Sequence, residues 1–286
     1  MLQKNTIKLL RLPFSFFLTP VYFFSLSQVK DIVLWKAILV FIILHFILYP
    51  AINGYNSYMD NDSGSIGLLK NPPKPTRELY FLSISLDFLT LLLSSIINTF
   101  FFFCILVNLL ASKAYSFRRI RLKKYPLIGF LTVILFQGGV TFLMVYSGTN
   151  LHQTYKFPWM PALISCFLIG CFYPLSQIYQ HKQDLDDGVN SLSYKLGYKG
   201  TFLFTALMFI AGDLILGYYF NKINTIYIFI LIEFMFIPVI FYFIYWLIEV
   251  IKDKSKADYK HTMRMNIIAA ICTNISFITT LIINHK

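Results

Sequence analysis

"NGYNSYMDNDSGSIGLLKNPPKPTREL" runs from Asn53 to Leu79, directly after an apolar run from Ile32 to Ile52. That run is long enough to cross a bilayer as a helix, which takes about 20 apolar residues. It ends in Asn53, Asn56, Asp60 and Asp62, although the chain holds only 13 acidic residues among 286. Asn53, Asn56 and Asp60 stand at i, i+3 and i+7, so a helix continuing out of the membrane presents them on one face. The stretch joins a membrane span to a polar face, and the rest of the chain has to explain that junction.

Composition sets the class. The chain is 57% hydrophobic and 13% charged, with a mean hydropathy of +0.64, whereas a soluble domain carries roughly 25% charged residues. It reads as an integral membrane protein. Nine spans are predicted, near 13–29, 32–52, 78–93, 96–112, 125–147, 160–180, 198–220, 225–250 and 262–283. Runs this long lack the alternation of barrel strands, so the fold class is all-α.

The stretch from Leu79 to Leu110 is read as two short spans broken at "SSIIN", Ser94 to Asn98. Both outer flanks are basic, and two spans return them to the same side. With nine spans, 20 of the 25 Lys and Arg residues fall at the N-terminus and in the loops after spans two, four, six and eight. The positive-inside rule then predicts a cytoplasmic N-terminus and an external C-terminus. Basic residues scattered among membrane loops argue against a nucleic-acid partner. The first run lacks a small-x-small cleavage site and reads as a span, not a removable leader. Cys104, Cys166, Cys171 and Cys272 all fall inside spans and fit no metal spacing.

Five acids gather in two of the loops on the basic side. Asp60 and Asp62 follow span two; Asp184, Asp186 and Asp187 follow span six, within "YPLSQIYQHKQDLDDGVNSLSYKLG", Tyr173 to Gly197. Gln180, Asp184 and Asp187 again share a helical face, at i, i+4 and i+7. Asn56 and Gln180 are 124 residues apart, which suggests two four-helix halves plus one further helix. Between the clusters lies "ASKAYSFRRIRLKKYP", Ala111 to Pro126, with Tyr115 beside Arg118, Arg119, Arg121, Lys123 and Lys124.

This pattern suits a diphosphate held through Mg²⁺, a hard cation usually bound by one or two carboxylates plus substrate phosphates. Arginine forks onto phosphate oxygens and lysine acts as a point charge, so the basic loop supplies the direct donors. Taken singly, each cluster also fits solvated acids or topological anchors. Two acidic clusters on one side, with six cations between them, favour the diphosphate. Asp87, Asp213 and Glu233 lie within or near spans without an assigned role, and His181 reads as a loop residue.

The chain resembles the UbiA superfamily of intramembrane prenyltransferases along nearly its full length. "NSYMDND" (Asn56 to Asp62) is similar to the first Asn/Asp motif of that family, and "QHKQDLDDG" (Gln180 to Gly188) to the second. "SLSYKLG" (Ser191 to Gly197) resembles the tail that follows. "YSFRRIRLKKYP" looks like the basic loop after helix four, and "LLRLPFSFFLTP" (Leu9 to Pro20) like the arginine-bearing lead-in to helix one. Ser57, Gly64 and Gln180 stand where many members carry acids, and "LKNPPKP" replaces the more usual Asn-Arg-Pro.

The resemblance implies nine helices around a central cavity, and Mg²⁺-dependent transfer of an isoprenyl chain from an allylic prenyl diphosphate. An aromatic acceptor of the lipoquinone type and residence among the lipids of a bacterial inner membrane follow as expectations. The residues it singles out are Asp60 and Asp184 for catalysis. For the diphosphate they are Arg11, Asn53, Asn56, Tyr115, Arg119, Arg121, Lys123 and Gln180. Asn56, Asp60, Asp62, Asp184 and Asp187 are expected to hold the metal. A terpene cyclase on the same scaffold, or a transporter, is the alternative. Transport sites, however, usually lie near the bilayer midplane, and these acids collect at one face.

Overall fold

The computed structural model describes residues 2–62, 64–152 and 156–285. Within them the architecture is all-helical, with β pairing reduced to two isolated bridges, Ile32 with Asn150 and Ile66 with Leu69. Nine long helices run in order: α1 Lys4–Ser27, α2 Leu34–Asp60, α3 Arg77–Ser94, α4 Thr99–Ser116, α5 Pro126–Thr149, α6 Trp159–Asp186, α7 Leu192–Lys222, α8 Ile226–Lys252 and α9 Tyr259–Asn284. Eight are long and apolar enough to cross a membrane. The other, α3, is 18 residues long and carries Arg77, Glu78 and Asp87.

The break between α3 and α4 falls where the polar run predicted it. Asn98 caps α4: its side-chain oxygen accepts from the Phe101 N–H at 2.7 Å, and its amide donates to the Ser147 carbonyl at 2.9 Å. One residue thus satisfies an orphan N–H of the helix start and ties it to α5. In α7 the backbone of Gly197 leaves the helix at φ 66°, a conformation that favours glycine. The long span therefore begins at about Tyr198, as predicted, and Leu192–Leu196 forms a separate turn capped by Ser191.

Successive helices alternate in direction, so the connections divide between two ends. At one end Asn284 donates to the Ser27 carbonyl (2.8 Å) and Tyr219 to the Gln28 side chain (2.6 Å). At the other, the Gln3 N–H donates to Glu78 (3.2 Å), and the rings of Tyr179 and Tyr259 meet at 5.4 Å. This second end gathers the α2–α3, α4–α5, α6–α7 and α8–α9 connections, the loops that hold the acidic and basic clusters.

Aromatic packing fills the interior: Phe24, Phe101, Phe142 and Phe277 are fully buried. Outward faces show Phe88, Phe234 and Phe241 about 70% exposed, as expected of surfaces meeting lipid rather than water. Helices α5 and α6 cross very closely at Gly138, where an added Cβ would sit 2.6 Å from the Ser165 carbonyl oxygen. Small residues permit such backbone approach in membranes. Both α2 and α5 contain a π-helical turn, Ile43–Leu48 and Ile134–Val140. The turn in α5 brings Phe136 and Gln137 to the wall of the central cavity.

Candidate functional site

A cavity of about 280 Å³ descends from the loop-rich end into the bundle. Helix α2 brings Asn53, Asn56 and Asp60 to its wall, and the loop beyond contributes Asp62. Helix α2 runs unbroken to Asp60 and then stops at Asn61 in the left-handed conformation (φ 53°), a C-terminal cap that asparagine tolerates. The end of α6 supplies Gln180, Asp184 and Asp187, despite a 3₁₀ turn at Ile178–Gln180 that interrupts the helix. Both predicted faces therefore point into one space.

Cations close the ring. Arg11 is buried and donates to the Asn53 side-chain oxygen at 3.2 Å. Its backbone is left-handed, φ 48°, between the first turn of α1 and a 3₁₀ segment. Arg121, in the loop after α4, has φ 49°. Non-glycine residues held this way cost of order 1 kcal/mol or more, and cluster at functional sites. Lys123 forms an ion pair with Asp60, and the Arg121 guanidinium lies 3.6 Å from the same carboxylate. Arg121 also pairs with the Asp187 carboxylate and donates to its backbone oxygen at 2.9 Å.

The remaining predicted residues divide. Asn56 accepts from Ser116 at 2.8 Å, and Tyr115 shares a hydrogen bond with Tyr173. Gln180 donates to the Ser65 carbonyl at 3.2 Å. Arg119 is not brought to the cavity: it is exposed and, among the described residues, makes no hydrogen bond or ion pair. Its neighbour Arg118 does not line the cavity either, with a side chain 52% exposed, but it donates to the Met59 and Asp60 carbonyls at 2.7 and 3.2 Å and lies 3.4 Å from Asp187. Arg118 thereby caps the carbonyl end of α2, where a cation also meets the negative end of the helix dipole.

Burial pushes the Asp62 carboxyl up to about 6, assisted by the neighbouring charge of Asp60. Lys123, Arg11 and a hydrogen bond from Gln183 pull the other way. Among the described residues the Asp184 side chain has neither a hydrogen bond nor an ion pair, whereas Asp60 Oδ1 is engaged by Lys123 and lies 3.6 Å from Arg121. Spare carboxylate oxygens facing a cavity are a donor set for a hard cation. No three acids among the described residues form a ready-made cage.

Sequence reasoning missed Gln183, which lines the cavity and bonds Asp62, and the contacts that Arg118 makes with the end of α2. The basic loop gave no signal separating Arg118 from Arg119, because only the turn between α4 and α5 decides which one meets the end of α2. His181 is also not a loop residue. It is buried at the end of α6, with Nε2 2.8 Å from the Ser193 hydroxyl and its ring stacked on Tyr198. Asp87 pairs with Lys113 at 2.6 Å, and that ammonium lies 3.9 Å over the Tyr55 ring.

The fold and site define a polytopic helical membrane protein with an acid- and arginine-lined cavity opening at one end. The sequence matches the UbiA prenyltransferase family over residues 17–268, and the chain belongs to that family. Among solved structures it is similar to a UbiA homologue from Archaeoglobus fulgidus bound to DMAPP and Mg²⁺. The two share 19% identity at a TM-score of 0.72, covering 96% of this chain and 99% of the other. It also resembles a digeranylgeranylglyceryl phosphate synthase (22%, TM-score 0.62, covering 98% and 97%). A homologue from Aeropyrum pernix K1 is similar as well (18%, TM-score 0.69, covering 93% and 97%). Among curated proteins none matches the chain.

Proposed function

We propose that this protein transfers an isoprenyl group from an allylic prenyl diphosphate to an aromatic acceptor. The observation that carries the reading is the convergence of the α2 and α6 acids with Arg11 and Lys123 in the wall of a membrane-depth cavity, with Arg121 paired to Asp60 and Asp187 beside it. The allylic C–O bond breaks with its electron pair on the diphosphate. A ring carbon of the acceptor supplies the pair for the new C–C bond, and the ring proton leaves with the released diphosphate.

The residues fit Mg²⁺ because the acids stand on two separate elements with no complete cage, the arrangement that substrate phosphates complete. Asp60, Asp62 and Asp184 would hold it, with Asn56 beside them. When bound, the ion offsets the charge growing on the leaving group. Arg11, Arg121 and Lys123 orient the diphosphate and stabilise its developing charge from fixed positions. The apolar lower walls receive the chain and exclude water.

The positive-inside bias supports a cytoplasmic position for this mouth in a bacterial inner membrane, and lipoquinone synthesis is the role we infer. The test is turnover of labelled prenyl diphosphate by the protein in nanodiscs, with and without acceptor. Product formation should stop with EDTA and return with Mg²⁺. A cyclic hydrocarbon formed without acceptor would identify a cyclase instead.

A further inference from the structure

We propose that His181 is a positioning residue: it fixes the rotation of the second acidic motif, and so sets how tightly the site takes Mg²⁺ together with a diphosphate. This rests on the prenyl-transfer reading and adds a residue that none of the cavity's own acids or cations replaces.

The need for such a residue comes from the backbone. Asp184 stands in the last stretch of α6, His181–Asp186, which a 3₁₀ turn at Ile178–Gln180 separates from the rest of the helix. A change from 3.6 to 3.0 residues per turn interrupts the α-helical ladder, so the body of α6 does not by itself dictate where the acids point. Tertiary contact has to do so, and only one side chain of the six is placed for it. Lys182, Leu185 and Asp186 are exposed, Gln183 and Asp184 are half-buried, and His181 is buried.

The contacts of His181 lead to a rigid anchor. Its ring stacks on Tyr198 at 5.0 Å with the planes 3° apart, and meets Tyr194 edge-on at 5.6 Å. Its Nε2 lies 2.8 Å from the Ser193 hydroxyl, which lies 3.0 Å from that of Thr201. Thr201 is fully buried on α7, and its hydroxyl reaches the Gly197 carbonyl at 2.7 Å. A hydroxyl has one hydrogen to give, which orders the chain: Thr201 donates to Gly197, Ser193 to Thr201, and the His181 Nε2–H to Ser193. The chain spans the kink at Gly197 and ends on the long part of α7.

Asp184 depends on this anchor more than the other acids do. Asp60 is held by Lys123, and Asp187 by Arg121 and Arg118. The Asp184 carboxylate has no such partner among the described residues, so its direction comes from its backbone. That backbone is fixed by His181 three residues before it, and by the Val189 N–H, which donates to the Asp184 carbonyl at 2.7 Å. Removing a group that orients a metal ligand typically costs 10–100-fold in affinity.

The test titrates Mg²⁺ calorimetrically into the full-length protein in nanodiscs, with geranyl thiodiphosphate as an unreactive donor. His181→Leu should weaken Mg²⁺ about tenfold or more. Binding of the same donor in EDTA should stay within twofold, because Arg11 and Lys123 do not depend on the anchor. His181→Gln keeps an N–H donor in place of Nε2 and should recover most of the loss. Ser193→Ala breaks the same chain from the α7 side and should weaken Mg²⁺ about fivefold, with little further loss when combined with His181→Leu.

Unchanged Mg²⁺ affinity in either His181→Leu or Ser193→Ala overturns the inference. So does a glutamine variant no better than leucine, or an equal loss of donor binding in EDTA, which would mark general damage. Should His181→Leu fail to fold, Ser193→Ala decides alone. Wild-type protein that binds the donor equally well with Mg²⁺ and with EDTA would sink the prenyl-transfer reading itself, and this inference with it.

Discussion

The Arg121 guanidinium stands between two carboxylates from different helices, paired with Asp187 after α6 and 3.6 Å from Asp60 at the end of α2. It is one buried cation shared by both acidic motifs, and its left-handed backbone fixes where it points. Asp187 meets Arg118 as well, so the basic loop is pinned to α6 by two arginines on one acid. A loop held this way is preorganised, and its guanidinium need not be ordered when a diphosphate arrives.

Arg121→Gln should therefore lower kcat/KM for the prenyl diphosphate about ten- to a hundredfold, because a charged hydrogen bond to phosphate is worth roughly 1.5–3 kcal/mol. Arg121→Lys should recover part of this, since the charge stays while the fork is lost. Donor kinetics measured at saturating acceptor decide the matter. Unchanged values for the glutamine variant would leave the loop a topological anchor.

Arg118 and Arg119 give a sharper contrast, because they are adjacent and chemically identical. Arg118→Gln removes the cap on the Met59 and Asp60 carbonyls and one link to Asp187. It should reduce kcat/KM by about fivefold or more, as expected for lost charged hydrogen bonds. Arg119→Gln should change activity less than twofold, since exposed charges without a partner contribute little. Equal effects at both positions would mean that net loop charge matters and the contacts of Arg118 with the end of α2 do not.

Asp60→Asn and Asp184→Asn should each abolish turnover while the protein keeps its helical content and elution volume. Neither acid packs the core. Asp60 is held by cations at the cavity mouth, and the Asp184 carboxylate has no partner among the described residues. Isothermal titration of Mg²⁺ in the presence of a non-hydrolysable diphosphate analogue provides a second measure, with affinity lost in both variants. Retained affinity and activity in either one would remove that residue from the metal set.

Much of this was legible in the sequence because membrane helices are written in long apolar runs. The span limits fell within a few residues for most helices, and "SSIIN" announced the α3–α4 turn through a residue able to cap. The i, i+3, i+7 spacing placed Asn53, Asn56 and Asp60 on one face because α2 continues unbroken through them. What could not be read were the contacts set by loop geometry: Arg118 and not Arg119 on the end of α2, Gln183 bonded to Asp62, His181 buried on Tyr198. The partnership of Asp87 with Lys113 was equally hidden, since it joins two helices 26 residues apart in sequence. Hydropathy records how greasy a helix is and says little about its rotation against its neighbours.

That buried pair carries the last prediction. Lys113 and Asp87 lie between α4 and α3 at 2.6 Å, their side chains 22% and 10% exposed, with the Tyr55 ring of α2 against the ammonium. Desolvating both ions is costly, so the pair's net contribution is small even though each partner needs the other. Lys113→Met should leave Asp87 buried and uncompensated, destabilising the protein by about 3–5 kcal/mol. Asp87→Leu should do the same to Lys113, with the Tyr55 ring retaining part of the interaction. The double variant, Lys113→Met with Asp87→Leu, should return close to the wild-type melting temperature, because both desolvation costs vanish together. Thermal unfolding of the four proteins in one nanodisc preparation measures this coupling directly. If the double variant is as unstable as the sum of the singles, the two residues act independently and the ion pair does not hold α3 against α4.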